Sequence, residues 1–222
     1  MTCKTLLAYR TASAVDCFIN GTLLTKSLSA TWAQGNAGGL DVGSSPTQDV
    51  HGHLITDGTD TDVLFSEAPI SPVVPSGWTL TGQVAGSLLI DASHAIRPFY
   101  QVGNEFYIIN GTTDVNYTTN AGDMLRTVSV PMGVKVQYIY FGEYYHTTTA
   151  AWVYMGDPDR GAPGGRSNFR VGRRNAGNNP LGVEGRVWTN ASKQIYTGDT
   201  SGSLLILTGK GWLDPRVSVN GF

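Results

Sequence analysis

Short apolar segments separated by Gly, Asn, Thr and Pro run through the whole chain, and none has the periodicity of a long amphipathic helix. The even-numbered residues from Val134 to Tyr140 are all apolar or aromatic, which places them on one face of a strand. About ten comparable segments lie between residues 78 and 209, most of them ended by Gly, Pro or Asn. The pattern predicts an all-β fold with an antiparallel β-sandwich or jelly-roll-like body.

The N-terminal part predicts a different organisation. Residues 4–10 and 15–25 indicate a strand followed by a β-hairpin, with Asn20-Gly21 as its two-residue turn. Residues 33–62 are rich in Gly, Asp, Ser and Thr and contain only scattered apolar residues, which favours a linker or an extended arm ordered by a partner.

Three prolines follow the arm, in the segment PISPVVPSG that begins at Pro69. Proline has no N–H for a central strand, so residues 66–77 are expected to cross an edge of the sheet or to open a second domain. We therefore predict two domains, an N-terminal hairpin and flexible docking arm over 1–65 and a β-sandwich over 66–222.

Composition points to a protein that acts by association. Only 14% of residues are charged, against roughly 25% in an average soluble domain, which leaves wide neutral surfaces. Residues 1–150 carry 6 Lys+Arg and 12 Asp+Glu, while residues 151–222 carry 9 and 5. Opposite charges can steer one copy onto another, whereas a net charge of -2 argues against nucleic acid as the main ligand.

The two cysteines, Cys3 and Cys17, are expected to be reduced, since a disulfide scaffold uses more cysteines in a shorter chain. No apolar run approaches the roughly 18 residues that a membrane span needs, so membrane insertion is not expected.

Candidate chemistry is sparse, and we predict neither catalysis nor a cofactor. His51 and His53 have the spacing of a metal-binding strand without an evident third ligand, and the segment 56–62 (TDGTDTD) offers carboxylates without the EF-hand spacing. An Asx turn is the expected structure of that segment. Four carboxylates could form a hydrolytic pair, but no spacing selects two of them. They are Asp91, Glu105, Glu143 and Asp157.

The segment 157–180 is a long Gly-rich loop with five arginines and few side chains that could pack. Guanidinium groups form paired hydrogen bonds to carboxylates, so contact with the acidic half of another subunit is the first expectation, ahead of a solvated loop or nucleic acid. The arginines are Arg160, Arg166, Arg170, Arg173 and Arg174.

Six aromatic residues fall within a short stretch and could stack on sugar rings, although core and interface packing use the same residue types. They are Tyr138, Tyr140, Tyr144, Tyr145, Trp152 and Tyr154.

Two segments carry a resemblance to a known class of proteins. GRVWTNASKQIYTGDTSGSLLILTGKGWLDPR (185–216), together with LRTVSVPMGVKVQYIYF (125–141), resembles the ending of small β-rich virion proteins of tailed bacteriophages. In those proteins a strand with a VxTNxSxQI core is followed by a Gly/Ser turn, an apolar strand and a GWxDxR terminus.

The resemblance implies a structural virion protein, made in the host cytoplasm and associated with the tail or collar as a fibre or adaptor subunit. Its partners would be copies of itself, with a trimer favoured, and other virion proteins of the tail or head. A capsid decoration protein, or a carbohydrate-binding module that meets a host surface glycan, are the alternatives.

Overall fold

The computed structural model describes residues 5–118, 123–145, 151–162, 170–174, 180–199 and 204–217. These residues form sixteen strands and one short 3-10 helix, Pro158–Arg160, and no α-helix. The first nine strands are β1 (Thr5–Thr11), β2 (Ala14–Ile19), β3 (Thr22–Thr31), β4 (Gly38–Leu40), β5 (Val50–Thr56), β6 (Thr61–Ser66), β7 (Thr79–Leu88), β8 (Phe99–Val102) and β9 (Glu105–Thr118). The others are β10 (Met124–Thr127), β11 (Gln137–Tyr145), β12 (Ala151–Gly156), β13 (Arg170–Arg174), β14 (Leu181–Trp188), β15 (Gln194–Asp199) and β16 (Leu204–Leu213). The prediction of an all-β fold with antiparallel, sandwich-like sheets is confirmed.

The chain divides into two compact units at a different place from the predicted boundary between residues 65 and 66. Unit 1 consists of Met1–Ile109, Pro131–Gly133 and Asp214–Phe222, and unit 2 consists of Asn110–Val130 and Val134–Leu213. No division occurs near residue 65 because the strands on both sides of it are hydrogen-bonded into one sheet.

Unit 1 contains a seven-stranded sheet of order β1-β2-β3-β4-β6-β5-β7. The hairpin between β2 and β3 turns at Asn20 and Gly21, whose φ angles of 51° and 87° are those of a two-residue hairpin turn with positive φ at both positions. The predicted hairpin and its turn are thus confirmed.

The segment predicted as an extended arm is part of the same sheet. β5 pairs with β6 on one side and with β7 on the other, and every residue from Val50 to Ile55 is buried. Many of the Gly and Asp residues that suggested an arm lie in the connections between these strands, and others lie in the strands themselves. Only three apolar residues supply the apolar signal of β5, which is why composition hid it.

Unit 1 also holds the hairpin of β8 and the first residues of β9. Phe99, Phe106 and Ile108 are buried, whereas Tyr100 is exposed. Phe106 packs against the backbone of Gly86 so closely that a Cβ at Gly86 would collide with its ring, and Gly86 has a φ of 147° that other residues rarely adopt. This position therefore requires glycine.

Unit 2 contains a four-stranded sheet of order β10-β15-β12-β13 and a second sheet in which β11 lies between β14 and β16. The predicted alternation in β11 is confirmed, since its even-numbered residues Tyr138, Tyr140 and Tyr144 are buried. In the apolar run that begins β16, Leu205 and Leu207 are buried and the two residues that alternate with them are half-buried.

Candidate interaction surfaces

Most of the predicted aromatic cluster belongs to the core of unit 2. Tyr138, Tyr140, Tyr144 and Tyr154 are buried, and the rings of the first two stack at 5.8 Å. Tyr145 and Trp152 are half-buried. The four buried rings cannot stack on a sugar, because period-two alternation turns them inward, and a carbohydrate surface built from this cluster is not present in the fold.

Asp114 anchors this core through two hydroxyl groups. The Tyr138 hydroxyl donates to its carboxylate at 2.8 Å and the Ser129 hydroxyl at 2.6 Å. Burial and the adjacent Asp114 carboxylate both raise the pKa of Tyr138, so the phenol stays protonated and remains a donor. Burial raises the pKa of Tyr140 to about 12.

The predicted arginine loop is partly regular. Arg160 ends the short 3-10 helix, is exposed, and lies 3.8 Å from Asp157, which also pairs with Lys135 at 2.8 Å. Arg170, Arg173 and Arg174 belong to β13, whose backbone pairs with β12, so the loop contains a strand that composition did not show. Arg166 lies outside the described residues. A role of these arginines in subunit contact stays a prediction.

The four carboxylates that might have formed a hydrolytic pair each have a local partner. Asp91 accepts hydrogen bonds from the backbone of Ser93 and Ala95 in a turn. Glu105 and Glu143 each accept a hydrogen bond from the tyrosine two residues further along its own strand. Asp157 is bound by Lys135 at 2.8 and 3.0 Å. Each of these carboxylates is therefore held by a local contact within a turn, along a strand or with a neighbouring lysine.

The TDGTDTD segment closes the hairpin of β5 and β6 as an Asx turn, as predicted. The Asp57 carboxylate accepts hydrogen bonds from the backbone N–H groups of Thr59 and Asp60 at 2.8 and 2.7 Å, and these bonds lower its pKa. The last residue of the segment, Asp62, points instead into unit 1.

Asp62 and Lys26 form a buried ion pair, with the ammonium 2.9 Å from the carboxylate. Lys26 also donates to the carbonyl of Ala33 at 2.8 Å and lies over the ring of Trp32. Burial lowers the pKa of Lys26, and its bond to Asp62 opposes that shift. Burial likewise raises the pKa of the free thiol of Cys17. The Lys26–Asp62 pair and the Cys17 thiol are enclosed and contribute to packing within unit 1. Cys3 lies outside the described residues.

His51 belongs to a buried polar centre that the sequence did not suggest. Its Nδ1 lies 2.9 Å from the Ser87 hydroxyl, and that hydroxyl lies 3.2 Å from the Asp214 carboxylate. Arg216 donates to Ser87 at 2.6 Å and to both oxygens of Asp214 at 3.0 and 2.7 Å. Asp214 and Arg216 come from the GWLDPR motif, so this centre attaches the residues after β16 to β5 and β7.

Serine, histidine and aspartate are also the members of a hydrolytic triad, but their order here is different. In a triad the imidazole lies between hydroxyl and carboxylate and carries the proton away, whereas here Ser87 lies between His51 and Asp214. All three side chains are buried. The arrangement holds strands together and gives no nucleophile that a substrate could reach.

Burial and a neighbouring positive charge keep the His51 ring neutral. Burial and the guanidinium of Arg216, 3.4 Å from Nδ1, lower the pKa of His51 to about 4, while the Asp214 carboxylate opposes the shift. Burial also lowers the pKa of His53, whose Nε2 is 3.0 Å from the carbonyl oxygen of Ala68. Within the described ranges no three His, Cys, Asp or Glu side chains are placed to hold a metal ion.

A groove of about 270 Å³ opens on unit 1 beside His53, where β7 bulges away from β5. Its walls come from the proline-rich loop, with Pro69 and Ile70, and from β7, with Leu80 and Val84. Ile70 is 78% exposed, the most exposed large apolar side chain among the described residues. None of the lining residues is Asp, Glu, Lys or Arg. We name this feature the β7 groove.

Two exposed valines of unit 1 lie beside one carboxylate. The backbone N–H groups of Val42 and Val73 bind the two oxygens of Asp41, and both valine side chains are exposed. Val73 lies three residues after Ile70 in the proline-rich loop. Apolar residues between prolines are a sequence signal that could have indicated exposed apolar side chains in this loop.

Unit 2 exposes apolar side chains at β10. This strand ends its sheet and pairs only with β15 among the described strands. Met124 and Leu125 are consecutive and therefore point to opposite faces, yet they are 45% and 44% exposed. Arg126 covers part of the Met124 face, where it stacks on the ring of Tyr117. An end strand that exposes an apolar side chain on each face and has one edge unpaired among the described strands is a surface on which another chain can pair.

No family model matches the chain, and no curated protein matches it either. In the parts of the chain that the structure describes, no helix is long and apolar enough to cross a membrane.

Proposed function

We propose that the protein is a structural component of a tailed-bacteriophage virion, a tail- or collar-associated subunit of fibre or adaptor type that acts by multivalent assembly. The observation that carries the proposal is the opposite charge of its two units. Unit 1 has 5 Lys+Arg and 10 Asp+Glu, a net charge of -5, and unit 2 has 10 and 7, a net charge of +3. Oppositely charged surfaces on one chain attract neighbouring copies head to tail.

Exposed apolar side chains also support assembly as the mode of action. Large apolar side chains are exposed on both units, including Ile70 in the first and Leu125 in the second, and such side chains are costly to leave in water when they are grouped. Contact with other subunits would remove them from water.

Light scattering behind size exclusion tests the assembly part. The purified chain should form a closed oligomer, with a trimer expected, whose mass falls when salt is raised from about 0.05 to about 0.5 M, because salt screens attraction between charged units. A monomer at every concentration and salt would overturn the proposal.

Immunogold labelling tests the location on particles of the phage that encodes the chain. Label at the tail or collar is expected. Label spread over the head would replace our assignment with a capsid decoration protein, and particles without label would exclude a virion protein.

A further inference from the structure

We propose that the β7 groove receives strand β10 of a second copy, so that unit 1 of one subunit binds unit 2 of the next. The proposal rests on the proposed function, assembly, and adds to it the two surfaces and the direction of the contact. Because the two surfaces differ, the contact is heterologous, and its repetition forms a closed ring when the rotation per subunit closes.

The β7 groove has the chemistry of a receptor for an apolar strand. Its walls are uncharged and largely apolar, and its volume of about 270 Å³ is enough for a branched aliphatic or thioether side chain. β7 is also the last strand of its sheet, and among the described residues its outer edge has one bridge, from Val84 to Val217. The edge beside Leu80 and Gly82 is thus open for backbone pairing.

β10 has the matching properties. Its outer edge carries no strand in the described part of the chain, and its two apolar side chains are both exposed. Leu125 and Met124 can therefore enter a groove while the backbone pairs along an edge. Phe141 is the other large exposed apolar residue among the described residues of unit 2. It lies in the middle of β11 between two paired strands and has no free edge to offer.

Charge complementarity identifies a second copy as the occupant. The groove lies on the unit with a net charge of -5 and β10 lies on the unit with a net charge of +3. A groove-to-groove contact between two copies would bring two acidic units together, and a β10-to-β10 contact two basic ones. Only the heterologous contact joins opposite charges.

The size of the apolar surface indicates how strong one contact is. Two exposed aliphatic side chains, Ile70 and Leu80, line the groove. Their surface is well below the roughly 800 Å² that each partner buries in a stable pair. A single contact is therefore weak, and a ring, in which every subunit makes two contacts, is stable by comparison.

Two single variants and their mixture test the proposal. Ile70→Glu disables the groove and Leu125→Glu disables β10, and both residues are exposed, so the fold should tolerate the changes. Each variant alone should be monomeric under conditions in which the wild type assembles. Mixed in equal amounts, they should form a 1:1 dimer and nothing larger, because one intact groove and one intact β10 remain.

Val102→Glu and Phe141→Glu are the matched controls, since they place the same charge at exposed apolar residues of unit 1 and unit 2 outside the proposed contact. Both should keep the wild-type mass, and near-ultraviolet circular dichroism checks that all four variants are folded.

The outcomes separate the alternatives. If the wild type assembles and Leu125→Glu keeps its full mass, β10 is not the occupant and only this inference fails. If Ile70→Glu is monomeric, Leu125→Glu is dimeric and the mixture forms no 1:1 dimer, the contact is groove to groove and the inference is overturned. A monomeric wild type contradicts the proposed assembly itself.

Discussion

His51 makes unit 1 sensitive to acid, and the size of the effect follows from its surroundings. The ring hydrogen-bonds Ser87 through Nδ1 and also bonds the backbone of Met132. A guanidinium N–H of Arg216 faces Nδ1 at 3.4 Å, so Nδ1 is the unprotonated nitrogen of the neutral ring. A proton there would oppose the positive charge of Arg216 inside the protein, and His53 lies close enough to add to that repulsion.

The sign and magnitude come from the two pKa values of His51, about 4 in the folded protein and 6.5 in the unfolded chain. Between these values the unfolded chain binds a proton that the folded protein does not, so the free energy of unfolding falls as the pH falls. The difference between these two pKa values corresponds to about 3 kcal/mol in the free energy of unfolding, of which about 2 kcal/mol is lost between pH 7 and pH 5.

Urea unfolding of the full chain at pH 7, 6 and 5 measures this loss. In His51→Gln the amide oxygen can still accept a hydrogen bond from Arg216, and the amide does not titrate. Between pH 7 and pH 5 this variant should therefore lose about 2 kcal/mol less of its free energy of unfolding than the wild type loses. His94→Gln, at an exposed histidine, is the matched control and should keep the wild-type slope. If His51→Gln and the wild type lose the same free energy between pH 7 and pH 5, the account of the polar centre is refuted.

Three other substitutions test the packing of the two units. Lys26→Met leaves the Asp62 carboxylate buried without its cation and should cost about 3–5 kcal/mol in urea unfolding, and replacing both residues by aliphatic ones should recover much of that loss. Gly86→Ala should lower the melting temperature by several degrees, because the new Cβ has no space and the φ angle is strained; a melting temperature within one degree of the wild type would contradict the packing. Tyr138→Phe should cost about 1–2 kcal/mol, because the half-buried Asp114 carboxylate loses one donor, and an unchanged stability would show that the phenol does not stabilise this carboxylate.

Local sequence patterns were sufficient for the features that depend on neighbours along the chain. Asn20-Gly21 predicted its hairpin because few residues other than Asn and Gly adopt positive φ at both turn positions. The alternation from Val134 to Tyr140 identified the buried face of β11, and the Asx turn at Asp57 follows from a carboxylate that can reach backbone N–H groups two and three residues on.

The candidate surfaces show where local patterns are insufficient. The six aromatic residues had the composition of a binding surface, but alternation and a partner carboxylate at Asp114 turn most of them into the core. The β7 groove depends on a bulge in β7 and on the course of the proline-rich loop over it, and no pattern of spacing encodes that contact.

By itself the sequence determined that the protein is all-β, that a hairpin turns at Asn20-Gly21, and that charge is distributed unevenly along the chain. Only the tertiary structure decided that residues 33–62 belong to a sheet, that Asp214 and Arg216 return to His51 and Ser87, and that each unit carries one sign of net charge. The physical reason is the range of the interactions. Turns and alternation are set by residues a few positions apart. The His51 centre joins residues more than a hundred positions apart, and β5 pairs with β7 across the proline-rich loop, and no local pattern specifies either contact.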